Sequence, residues 1–90
     1  MGITWDPIKE RKLLKDRGID IREIAGLIME HKYLDILENS SRPGQYLFIF
    51  KYHDYTHVAP FMIAKDDTIV LKTVYPSRRF EQIYGERREN

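Results

Sequence analysis

Seven consecutive residues, Tyr46 to Tyr52, are aromatic, Leu or Ile apart from one lysine, with no glycine or proline among them. Such a run is a β-strand, and its want of alternation marks a central strand buried on both faces. A chain of 90 residues that contains it has to provide strands to flank it.

Flanking strands are legible on either side. Tyr33 to Glu38 alternates, with Leu34 and Ile36 on one side and Asp35 and Leu37 on the other. Between that strand and the central one, Asn39 to Gly44 is turn chemistry throughout. His53-Asp54 predicts a tight turn into a strand from Tyr55 to Ala64, and Pro60 within it argues for a sheet edge or a bulge. After the turn Lys65-Asp66-Asp67, Thr68 to Tyr75 reads as the final strand.

Helices precede and follow this set. Asp6-Pro7 is a helix start, and Gly18 supplies the left-handed residue that ends the helix after Arg17. Trp5, Ile8, Leu13 and Leu14 give that helix an uneven apolar side. Asp20 with Glu23 resembles a capping box for a second helix, whose Ile21, Ile24, Ala25, Ile28 and Met29 form an amphipathic stripe. His31 and Lys32 place positive charge at its end, the sign the helix dipole favours. Ser77 can cap a last helix with Phe80, Ile83 and Tyr84 on one face. The expected fold is therefore α+β: two N-terminal helices, a four-stranded antiparallel sheet and a short C-terminal helix, forming one domain over residues 1–90.

Composition narrows the chemistry. The chain is 42% hydrophobic with no apolar run long enough to span a bilayer, and its N-terminal residues lack the pattern of a secretory signal. A cytoplasmic location is expected. There is no cysteine, which removes disulfides, thiol catalysis and thiolate metal sites together. No phosphate loop, dinucleotide fingerprint or nucleophile elbow is present, and His31, His53 and His57 are too scattered to read as a metal site. No cofactor is expected. Net charge is +1, but from Lys72 onward Lys72, Arg78, Arg79, Arg87 and Arg88 face only Glu81, Glu86 and Glu89. A basic end on a near-neutral body permits a local phosphate-binding surface.

The reactive side chains collect on the last strands and the final helix. Lys72, in an otherwise apolar strand, has to reach solvent, a carboxylate or a phosphate. His57 reads either as a sheet-surface histidine or as an acid–base group, and Lys51 ends the central strand near the same rim. Arg78 and Arg79 fall in a helix first turn, where with free amides they would attract an anion or pair with a nearby acid. Tyr84 reads as core or as a base-stacking surface.

Two stretches carry a family resemblance. Trp5-Asp6-Pro7, Lys9, Gly18-Ile19 and Glu23 are spaced similarly to a W-D-x-x-K, H-G-V and E pattern, and Lys72-Thr73-Val74-Tyr75-Pro76-Ser77-Arg78-Arg79 is similar to a strand running into S/A-R-K. The chain thereby resembles the BrnT-type toxins of bacterial toxin–antitoxin systems, within the RelE/ParE-like group. It departs from them at Arg17, where many members have histidine, at Leu13, where many have asparagine, and around Ser41 to Gln45. The resemblance implies a small ribonuclease that cleaves mRNA without metal and is held inactive in a hetero-complex with a small DNA-binding antitoxin, so that contact with DNA comes through that antitoxin. For such chemistry the residues themselves offer Lys72, Arg78 and Arg79 as phosphate clamps, His57 or Lys51 as acid–base groups, and Tyr75 or Tyr84 as base-stacking rings. Two other uses share such a fold: a toxin that binds a protein target such as gyrase, and a non-catalytic interaction module.

Overall fold

The computed structural model describes residues 2–85; Arg87 and Arg88 lie outside the described residues. The element order is β1 (Ile3–Trp5), α1 (Pro7–Arg17), α2 (Ile21–Met29), β2 (Asp35–Glu38), β3 (Tyr46–Tyr52), β4 (Tyr55–Ile63), β5 (Ile69–Leu71), β6 (Tyr75–Pro76) and α3 (Arg78–Tyr84). The strands form one sheet in the order β1-β5-β4-β3-β2, with β6 also paired to β4.

Local chemistry sets the helices. Asp6 accepts from the Ile8 amide at 2.9 Å and Pro7 opens α1. At the other end Gly18 turns left-handed at φ 65°, with Gly18 N–H donating to Leu14 O and Ile19 N–H to Leu13 O. Of α1's own residues only Leu13 is buried; Ile8 and Leu14 are exposed, so the uneven apolar side leaves most of this helix to its charged residues. Helix α2 buries Ile21, Ile24, Ala25 and Ile28 as its stripe predicts. It stops at Met29, and Lys32 pairs with Glu30 instead of neutralising the helix end.

The expected capping box is relayed through a tyrosine. Asp20 accepts from the Arg22 amide, while its own N–H donates to Tyr52 Oη at 3.2 Å and Tyr52 Oη donates to Glu23 at 2.7 Å. Burial, aided by the Glu23 carboxylate, raises the Tyr52 phenol pKa and keeps it a donor. Glu10 adds a second tie, accepting from Trp5 Nε1 and pairing with Arg22, both at 3.0 Å.

The sheet corrects the expectation of four antiparallel strands. Ile3–Trp5 is a strand, not a lead-in to α1, and it pairs in parallel with β5. Three residues are too few to show a period of two, and their partner lies more than sixty residues downstream, so nothing local announces the pairing. The final strand is also broken. Phe61 opposes Leu71 and Val58 opposes Tyr75, which leaves Ala59 and Pro60 facing Lys72, Thr73 and Val74. One extra residue in the last strand is a β-bulge, and Pro60 accounts for its position. Lys72 N–H donates to Pro60 O at 2.8 Å, but proline has no amide hydrogen to return that bond.

Helices cover both faces. On one, α1 and α2 pack over Phe48, Phe50, Ala59, Phe61, Leu71 and Val74. On the other, Phe80 and Tyr84 of α3 pack over Leu47, Ile49 and Val58. Tyr52→Phe removes the hydroxyl that joins Asp20 to Glu23, and we expect it to cost about 1–2 kcal/mol of stability in urea unfolding.

Candidate active site

An open groove of about 740 Å3 lies where the end of α1, the β3–β4 turn and the bulged last strand meet; Arg17, Ile19, His53, His57, Thr73, Tyr75 and Pro76 line it. The bulge shapes one wall. Leu71 and Val74 both belong to the core under α1 and α2, a spacing of three where a regular strand allows two. Thr73, beside Val74, is thereby brought to the groove. The opposite wall is the two-residue turn His53-Asp54, with φ of 52° and 62°, the paired left-handed residues of a type I′ hairpin.

His57 is the group with the most defined chemistry. It is 7% exposed, and its ring has Phe50 stacked at 6.1 Å and Tyr52 edge-on at 5.4 Å. Nδ1 lies 3.0 Å from Tyr55 O. A carbonyl only accepts, so Nδ1 carries the hydrogen and Nε2 is left as the acceptor. Burial lowers the His57 pKa; the Tyr55 bond opposes this, and the positive charge that His53 can carry adds to it. The neutral imidazole is thus favoured at neutral pH, the form that can receive a proton.

Arg17 supplies the charge, and the sequence alone did not single it out as a site residue. It was noted only as a departure from the family pattern, at the place directly before Gly18 where the chain leaves α1 toward the sheet. Among the described residues no carboxylate lies within ion-pair distance of it.

The other predicted residues are distributed around the sheet. Alternation along β3 and β4 puts Phe50 and His57 on the α1–α2 side and Lys51 with Thr56 on the α3 side. Lys51 Nζ is buried 3.7 Å from Glu81 Oε1, and that carboxylate also accepts from the Thr56 amide and hydroxyl. Lys51 and His57 therefore do not share a rim. Lys72 is exposed, just past the end of β5. Arg78 and Arg79 are exposed at the start of α3, Arg79 over the Phe80 ring at 5.4 Å, and Ser77 takes the Phe80 amide at 3.2 Å. None of these three cations has an ion-pair partner among the described residues. Tyr75 is half-buried on the groove wall. Tyr84 is 6% exposed and donates to Asp35 at 2.7 Å, which leaves no ring face for a base.

No family model matches the sequence, and comparison with curated proteins finds no relative. Backbone comparison does find a counterpart. The crystal structure of the ribonuclease toxin BrnT from Brucella abortus aligns over 86% of this chain and 96% of its own, with a TM-score of 0.65 and 13% identity. The fold is that of BrnT. At such low identity the likeness is one of backbone path, and it assigns no role to any side chain here.

Because burial depresses the folded-state pKa of His57, the unfolded chain binds that proton more tightly, and folding stability falls as pH drops below about 6.5. We expect urea midpoints followed downward from neutral pH to fall more steeply in the wild type than in His57→Gln. Equal slopes would show that His57 is not held neutral.

Proposed function

We propose that the protein is the toxin of a toxin–antitoxin pair, an endoribonuclease that cleaves mRNA by attack of a 2′-hydroxyl on the adjacent phosphate. The observation that carries this reading is His57, buried and with its pKa lowered by that burial, with Nδ1 engaged by Tyr55 O and its ring on the wall of a groove that also holds Arg17, which has no ion-pair partner among the described residues. The BrnT backbone supports it, since the protein sharing that fold is a ribonuclease toxin.

In the proposed reaction His57 Nε2 takes the proton from the 2′-hydroxyl as the oxygen–phosphorus bond forms. The bond from phosphorus to the 5′-oxygen breaks, leaving a 2′,3′-cyclic phosphate. His53, on the turn that forms the other wall, protonates the departing oxygen. Arg17 steadies the crowded phosphate, where a preorganised cation contributes most. Tyr75 offers a ring to a neighbouring base. Lys72 and the pair Arg78 and Arg79 bracket Thr73–Pro76 in sequence, and the proposal gives them phosphates outside the groove. An antitoxin that silences this protein has to cover the groove or block access to it.

One observation favours a non-catalytic interaction module instead. An apolar hollow of about 470 Å3 lies beyond the end of α2, with Met29, Ile36 and Ile63 49%, 43% and 51% exposed among its lining residues. Expression of variants separates the two. For the nuclease, His57→Ala abolishes growth arrest and lowers RNA cleavage by about 10²–10⁴-fold, Arg17→Ala weakens both, and the pair Arg78→Ala and Arg79→Ala affects binding more than turnover. Arrest that persists in a folded His57→Ala protein without cleaved RNA would favour the interaction module.

A further inference from the structure

A second hollow adjoins the groove, lined by Lys9, Lys12, Leu13, Asp16, Arg17 and Thr73. Arg17 and Thr73 line both, so the two hollows lie side by side, from His57 onto α1. Lys9, Lys12 and Arg17 lie within ion-pair distance of no carboxylate among the described residues. Asp16 is the one acid in the lining, and nearby Glu10 is engaged by Trp5 and Arg22. Three cations against one carboxylate leave the second hollow positive.

We propose that this second hollow is a phosphate subsite: Lys9 and Lys12 hold the backbone of single-stranded RNA to one side of the bond that the His57 groove cleaves, and Arg17 serves both parts. The inference rests on the nuclease reading and adds the direction in which the strand leaves the groove. From Lys9 to Arg17 the helix rises about 12 Å, room for about three phosphates at stacked single-strand spacing. The exposure of α1 acquires a use here. A helix that buries one of its own residues in the core is free to present lysines along the face beside the groove. Recognition is of the phosphate backbone, since the lining beyond the groove offers cations and no aromatic ring on which a base could stack.

The test uses the intact chain and a 2′-O-methyl octanucleotide, which lacks the attacking hydroxyl and cannot be cleaved. Binding is followed by fluorescence anisotropy from about 50 to about 300 mM KCl for the wild type, for the double variant Lys9→Gln and Lys12→Gln, and for Lys15→Gln. Lys15 is exposed on the same helix but lines neither hollow. Two lost phosphate contacts should flatten the slope of log affinity against log salt by about 1.4, with an affinity loss that is largest at low salt, while Lys15→Gln changes the slope by less than half of one contact. A double variant that binds as the wild type does overturns the subsite and leaves the nuclease reading standing. An equal effect per charge from Lys15→Gln overturns it too, since the attraction is then diffuse. Failure of the wild type to bind the oligonucleotide at all overturns the subsite and the nuclease reading together.

Discussion

Pro60 has no amide hydrogen, and it stands in the strand to which the last part of the sheet must pair. Lys72 can donate to its carbonyl and receives nothing back, so the ladder stops and resumes one residue out of step at Val58 and Tyr75. The added residue turns Thr73 into the groove while Val74 stays in the core. With a regular ladder the side chains from Lys72 to Pro76 would alternate through the sheet without interruption, and the groove beside His57 would lose this wall. The path of the chain into α3 follows as well, since β6 pairs with His57 and Val58 and Ser77 N–H donates to Thr56 O just before that helix begins.

A sheet two side chains thick sorts chemistry by parity. His57 and Lys51 both come from the central hairpin and both looked available to a single rim, yet strand alternation sends them to opposite faces. On one side His57 is packed among aromatic rings, where burial lowers its pKa, and its Nδ1 hydrogen has a carbonyl. On the other side Lys51 lies next to Glu81, a carboxylate that ties α3 to β4 through Thr56. Chemistry and anchoring are thus divided between the two faces by nothing more than odd and even positions.

Sharing a backbone with BrnT at 13% identity is what a fold held by layers allows. Core positions need apolar volume more than particular residues, and a site can change its side chains while the frame is kept. The groove brings together two imidazoles and a guanidinium, beside a helix with exposed lysines.

Short-range physics was legible in the chain. The bounds of β3, the Asp6–Pro7 start and Gly18 stop of α1, and the buried stripe of α2 all follow from caps, turn residues and periodicity within about ten residues. Pro60 even announced an edge or a bulge. The parallel pairing of Ile3–Trp5 with β5, the division of the last strand in two, and the meeting of Arg17, Thr73 and His57 were not legible. Each depends on the register between segments distant in sequence, where a shift of one residue exchanges the faces of a strand. Sequence alone determined which elements form; the tertiary structure decided which side chains face one another, because register is a property of pairs of strands and not of either strand by itself.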